Sequence, residues 1–411
     1  LMIRKLFQKQ PTLPQEKITP MPVDFDQLID RRQNNSYKWD IAENELPMWV
    51  ADMDFETAPA VTKALENRIS QGAFGYNTVP PEFFESIQNW WWKKHQFKLA
   101  TDAMMFCTGV VPAISLIVRK MTKVDDQIVL ITPVYNIFFN SILNNQRQVL
   151  ASEMTYQDSR YGIDYLDLEK KLADPKTTML IFCNPHNPIG KVWDKSTLAK
   201  IGELCLLNDV LILSDEIHCD LTHPEFSYTP MAAISKEIAQ QTITCWAPTK
   251  AFNLAGLQTS VIYVQNPKLF QLVHRGINID EVAEPNTFAI QAAMAAFDEG
   301  GDWLEELKRY LTGNRRSLNQ FIHDKLPEIK IISSEATYLA WLDCSRITND
   351  SKMLADFLRK ETGLILSAGD IFGGNGRQFL RWNYACPQIR LADGLDRFYQ
   401  GIEKFKQNSL S

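Results

Sequence analysis

The sequence is short of several things, and each shortage removes a class of function. No run approaches the roughly 18 uninterrupted apolar residues of a membrane span, so a transmembrane helix is not expected. Basic residues do not predominate: 43 Lys and Arg face 49 Asp and Glu, a formal charge of −6. Nucleic acid is therefore not the expected partner, because phosphate binding calls for basic surfaces. The seven cysteines are odd in number and scattered, and none forms a C-x-x-C pair. Most sit in apolar runs such as "IFCNP" and "ELCLLN", which fits reduced, buried thiols and a cytoplasmic location rather than a disulfide frame. The first residues, "LMIRKLFQKQPTLPQEK", carry positive charge without the apolar core of a secretory leader. Repeats and low-complexity tracts are absent as well.

What remains is the composition of an ordinary globular enzyme, 45% hydrophobic and 22% charged over 411 residues. That length exceeds one compact core, so a large and a small domain are expected. Residues 1–22 are rich in Pro and Gln and read as an extended arm. Residues 1–55 are taken as this arm with part of a small domain, 56–300 as a large domain, and 301–411 as the rest of the small one. Across the large domain, apolar runs alternate with amphipathic helices: "MMFCTG", "QIVLITP", "TMLIFCNP", "VLILSDE", "TITCWAP" and "SVIYVQN" are the candidate strands. Continuous apolar strands separated by helices predict a mostly parallel sheet covered on both faces, a three-layer α/β/α arrangement. The spacing of Trp303, Leu307, Tyr310, Leu311, Leu318, Phe321 and Ile322 predicts a long helix over 302–324. "YLAWLDC", "KMLADFLRKETG" and "FLRWNYAC" then suggest a smaller α/β unit.

In open α/β sheets, ligands bind beyond the carboxyl ends of the strands. Four candidate strands end there in polar residues: Thr108-Gly109, Asn184 with Asn187, Asp215-Glu216, and the turn that carries Thr249 and Lys250. Asp215 follows four apolar residues, so its carboxylate needs a cationic or proton-bearing partner. A salt bridge or a loop cap would satisfy it; so would a cofactor nitrogen. Lys250 by itself reads first as a solvated loop lysine, with a phosphate clamp and a covalent catalyst as the alternatives. Pyridoxal 5'-phosphate (PLP) would employ both residues, since it needs a lysine for covalent attachment and an acid beside its ring nitrogen. The turn Thr108-Gly109-Val110-Val111 at a helix start could cradle its phosphate.

These motifs have a familiar counterpart. "NPHNPIG", "LILSDEIHCDL" and "PTKAFNLAGLQTS" resemble, in order and spacing, the class I/II aminotransferase branch of fold-type I PLP enzymes. "LPMWVADMDF", "GAFGYN", "GVVPAI", "TPVYNIFF" and "FLRWNYACP" resemble the MalY/PatB-type cystathionine β-lyases within it, over residues 24–400 or so. The resemblance implies that Lys250 holds PLP covalently, that Asp215 pairs with its ring nitrogen, and that Asn187 bonds its phenolic oxygen and lies against the substrate. It implies further that Tyr135 stacks on the ring and that Gly109, Val110, Val111 and Thr249 hold the phosphate. Tyr76 would reach the phosphate of a neighbouring subunit, making a homodimer with shared sites. Arg381 would clamp the α-carboxylate of an amino-acid substrate, a bidentate contact that lysine could not make. Two positions depart from the wider aminotransferase pattern. His218 stands near the phenolic oxygen where many of those enzymes have Tyr, and Gln258 stands where many have a phosphate-binding Arg. Both are typical of the C–S lyase branch. The implied activity is therefore α,β-elimination from a sulfur-substituted cysteine, with transamination as the alternative.

Other motifs support plainer readings. His218, Cys219 and His223 suggest a metal site only superficially, since no second ligand pair follows zinc spacing, and no metal is expected. "FGGNGR" does not match a dinucleotide fingerprint. The three consecutive tryptophans of "NWWWKKH" point in different directions on a helix, which favours packing over a ligand platform. A PLP-binding regulator without catalytic duty is disfavoured because no helix-turn-helix extension precedes the domain.

Overall fold

The computed structural model describes residues 23–409; the expected extended arm at 1–22 lies outside them. Seven strands form the central sheet, in the order Met104–Cys107, Ser260–Val264, Thr242–Trp246, Leu211–Asp215, Thr177–Cys183, Gln127–Thr132 and Gln148–Glu153. Only Ser260–Val264 runs antiparallel to its neighbours; the other pairings are parallel. The strands at its centre are buried along nearly their whole length, as expected for a sheet covered on both faces. Gln148–Glu153, "QVLASE", was not among the expected strands. It lies at one edge and, unlike Met104–Cys107 at the other, is mostly exposed or half-buried, so it lacks a continuous apolar run.

Helices Val110–Met121 and Pro267–Ile279 pack together on one face of this sheet, and Lys195–Leu207 packs on the other. The long helix expected over 302–324 spans Gly301–Lys325, and it buries Trp303, Leu304, Leu307, Leu311, Leu318 and Ile322. Beyond it lies a four-stranded sheet in the order Lys330–Ile331, Leu339–Asp343, Phe379–Asn383, Ser367–Ala368. Helices Ser351–Thr362 and Gln388–Ser409 accompany it. Leu46 and Pro47 pair in parallel with Leu364 and Ile365, so the chain's early residues join this C-terminal unit. From there residues 48–55 run back to the large sheet.

The helix of "NWWWKKH", Pro81–His95, buries Trp90 and Trp91 and leaves Trp92 half exposed. "FGGNGR" forms 3-10 turns, where Gly376 packs so closely on Gly369 that a Cβ would stand 2.0 Å from the Gly369 carbonyl oxygen. No helix among the described residues is long and apolar enough to cross a membrane.

Candidate active site

A cavity of about 260 Å³ opens at the carboxyl ends of the central strands. Strand Leu211–Asp215 delivers Asp215 to it. Side chains alternate along a strand, so the neighbouring Glu216 points elsewhere, accepting from Ser214 Oγ at 2.7 Å, from the Met231 N–H at 3.0 Å and from the Tyr228 hydroxyl. Among the described residues the Asp215 carboxylate accepts only the Ile217 N–H, at 3.1 Å. Burial pushes its carboxyl up to about 7, against the opposing pull of that N–H and of Lys250.

Strand Thr242–Trp246 runs into the turn that bears Lys250, closed by hydrogen bonds from Phe252 N–H to the Pro248 carbonyl and from Leu254 N–H to the Thr249 carbonyl, both 2.9 Å. Lys250 Nζ donates to the Ala51 carbonyl at 2.7 Å. Burial brings its amine down to about 8; Arg381 adds to that fall, while Asp52 and Asp215 oppose it. An amine with that value interconverts between charged and neutral forms near neutrality, which suits both covalent attachment and proton transfer.

Helix Val110–Met121 begins at the cavity wall, with Gly109 at its N-cap. The first N–H groups of a helix have no partner within it, so those of Val110 and Val111 are placed to meet an anion. Thr249, Gln258 and Thr259 line the same wall. Tyr135, Asn187 and His218 complete the lining. His218 is buried and its Nδ1 has no partner; burial, with Lys250 and Arg381 nearby, lowers its imidazole to about 3 and keeps it neutral.

Arg381 reaches the cavity through Asn187. It is buried, donates from Nη1 to Asn187 Oδ1 at 3.2 Å and from Nη2 to the Trp49 carbonyl at 2.9 Å, and its Nε has no partner among the described residues. A buried guanidinium without a carboxylate is costly, and burial lowers it to about 10. Nine of the expected residues thus line one cavity: Gly109, Val110, Val111, Tyr135, Asn187, Asp215, His218, Thr249 and Lys250. Arg381 adjoins it. Tyr76 does not: it lies in the exposed loop 71–80 and is 100% exposed.

The other histidines and Cys219 disperse. His223 Nε2 lies 3.1 Å from Ser334 Oγ, and Cys219 lies with His95 and Asp220, not with His218. Asp220 Oδ1 already engages His95 Nε2 at 2.9 Å and Trp90 Nε1 at 3.0 Å. Residues that sequence reasoning missed are Ala51, Asp52 and Tyr338. Ala51 contributes a carbonyl, which carries no side-chain signal. Tyr338, whose hydroxyl donates to that carbonyl at 3.1 Å, reads in "ATYLAW" as a strand former.

Comparison with known proteins places this geometry. The model of the family "Aminotransferase class I and II" matches residues 44–398. Cystathionine beta-lyase PatB of Bacillus subtilis is 38% identical over 91% of this chain and 98% of its own length. Protein MalY of Escherichia coli is 29% identical over 90% and 97%. Among solved structures, cystalysin of Treponema denticola, which contains a pyridoxal 5'-phosphate cofactor, superposes with a TM-score of 0.91 at 33% identity, covering 94% of this chain and 100% of that one. The PLP-bound C–S lyase of Staphylococcus hominis gives 0.86 at 32%, over 93% and 98%. The chain belongs to the class I and II aminotransferase family, in the branch of the PatB-type cystathionine β-lyases.

Proposed function

We propose that the protein is a PLP-dependent carbon–sulfur β-lyase, which cleaves L-cystathionine or related S-substituted cysteines to a thiol, pyruvate and ammonia. The observation that carries this reading is the single cavity shared by Lys250, Asp215 and the helix start at Val110. The residues present fit the cofactor. A buried carboxylate with one hydrogen-bond donor suits a cationic ring nitrogen, a free helix start suits a phosphate, and a partially deprotonated lysine suits covalent attachment.

Lys250 would hold PLP covalently, Asp215 would face its ring nitrogen, Asn187 and His218 its phenolic oxygen, and Tyr135 its ring face. Gly109, Val110, Val111 and Thr249 would hold its phosphate. When bound, PLP supplies an electron sink for the negative charge that develops at the substrate Cα. Arg381 binds the substrate α-carboxylate, and its Nε, without a partner among the described residues, is available for that task. Lys250, once released by the substrate amine, takes the proton from Cα; its lowered amine value leaves much of it neutral near pH 8. Loss of the Cβ sulfur as thiol then follows. On this reading residues 56–300 carry the cofactor, while 301–411 with part of 1–55 carry the substrate arginine.

Tyr76 supports a homodimer. An aromatic side chain wholly exposed on a loop, outside its own cavity's lining, gains a role if it completes the site of a second copy. Mixing inactive Tyr76→Ala and Lys250→Ala proteins should then restore activity, because a hybrid dimer holds one intact site; no restoration counts against shared sites. The reduced, buried cysteines support a cytoplasmic location.

The lyase assignment is tested by incubating the PLP-loaded protein with L-cystathionine and no 2-oxo acid. Pyruvate and a free thiol should appear in equal amounts. Turnover only after a 2-oxo acid acceptor is added would assign transamination instead.

A further inference from the structure

Residues Trp49–Met53 form no helix or strand, yet they cross the inner edge of the site. Irregular backbone has no ladder partners, so its carbonyls must be satisfied by side chains, other backbone groups or water. Here five successive carbonyls each accept from side chains borne elsewhere in the chain. Trp49 O accepts from Arg381 Nη2 at 2.9 Å and Ser367 Oγ at 3.2 Å. Val50 O and Asp52 O both accept from Asn383 Nδ2, at 2.6 Å each. Ala51 O accepts from Lys250 Nζ at 2.7 Å and the Tyr338 hydroxyl at 3.1 Å. Lys38 Nζ adds a contact to Asp52 O at 3.3 Å, and Met53 O accepts from Arg31 at 3.0 Å and Asn253 at 2.9 Å.

The donors to this segment include both ends of the chemistry. Arg381, from the C-terminal sheet, holds carbonyl 49, and Lys250, from the large sheet, holds carbonyl 51. Asn383 holds the two carbonyls on either side of Ala51. It projects from the same strand as Arg381, two residues on and therefore on the same face, and its Oδ1 is occupied by the Ala385 N–H at 2.8 Å. We propose that Trp49–Met53 is a strap that sets the separation of the Arg381 guanidinium from the Lys250 amine, and that Asn383 is its principal positioning residue. Asn383 is not among the residues that line the cavity.

The inference deepens the proposed function and rests on the reading of Arg381 as the carboxylate clamp. In an amino acid the carboxylate and the Cα hydrogen are held on the same carbon, so clamp and base must keep a matching distance. A misplacement of about 1 Å costs roughly 100-fold in such a step. Tyr338 has a distinct part. Lys250 Nζ leaves Ala51 O whenever it is engaged elsewhere, and the Tyr338 hydroxyl then still holds that carbonyl, so the strap stays seated throughout.

The test uses two reagents with the same nucleophile, aminooxyacetate, which has a carboxylate, and methoxyamine, which has none. Their reaction with the PLP-loaded protein is followed by loss of the visible band of lysine-bound cofactor. The wild-type protein should favour aminooxyacetate, and Arg381→Ala should abolish that preference. Asn383→Ala should reduce the preference by about tenfold, the scale of losing one well-placed buried hydrogen bond. Its methoxyamine rate and its retention of PLP on dialysis should stay near wild type. Tyr338→Phe, which deletes one hydroxyl and serves if Asn383→Ala fails to fold, should reduce the preference several-fold. A preference unchanged in the folded variants, or an equal loss toward both reagents, overturns the strap. A preference that survives Arg381→Ala overturns the reading of the clamp itself.

Discussion

Asp215 and Asp54 are buried to nearly the same depth, at 4% and 1% exposure, and each has a lysine nearby. Their environments are otherwise opposite. Asp54 accepts from Lys38 Nζ at 3.0 Å, Trp39 Nε1 at 2.8 Å and Arg31 Nη1 at 2.9 Å, with Arg390 Nη1 at 3.7 Å. Burial works to raise its carboxyl, but Lys38, Trp39, Arg390 and Arg31 together outweigh it, so the group lies below the ordinary carboxylate range. Asp215 has one backbone donor, and burial prevails, carrying it up to about 7. A buried charge surrounded by partners is a finished structural joint; here it fixes residues 31–54 to the last helix. A buried charge with few partners is poised to meet something the chain does not itself supply.

The contrast can be broken from either side. Asp215→Asn keeps the shape and removes the charge. Turnover should fall by about 100-fold or more, in line with losing a charge that acts on the reacting system, while urea unfolding of the cofactor-free protein should show stability unchanged or slightly raised. Asp54→Ala should do the reverse. It strands Lys38 without its closest carboxylate and should lower unfolding stability by about 3–5 kcal/mol, with turnover per folded molecule much less affected. If both substitutions damaged stability equally, the distinction between joint and site would fail. The smallest expected effect is on pH. A base must be deprotonated to act, and burial sets the Lys250 amine at about 8, so kcat should climb as pH rises toward 8 and level off above it. A flat profile across that range would remove Lys250 from the role of base.

Legibility in the sequence followed burial and side-chain chemistry. The buried strands were readable because a strand covered on both faces must be apolar throughout; Gln148–Glu153 was not, because its exposure to solvent breaks the run. Asp215 and Lys250 stood out because charged residues directly after apolar strands need an explanation. Asn383 could have been noticed on similar grounds, as a polar residue closing the apolar "FLRWN" two positions after Arg381. Ala51 could not, since its contribution is a peptide carbonyl that every residue possesses.

The sequence by itself determined the strand–helix alternation, the family, and the residues whose side chains carry charge, because those properties are local to the residue and its near neighbours. The tertiary structure alone decided how Arg381, 131 positions after Lys250 in the chain, comes to adjoin the cavity that Lys250 lines, through its bond to Asn187. It also decided that an irregular segment near residue 50 would tie the two together. Those outcomes depend on which distant segments come into contact when the core closes, and on hydrogen bonds to backbone carbonyls, which a sequence does not distinguish from one another.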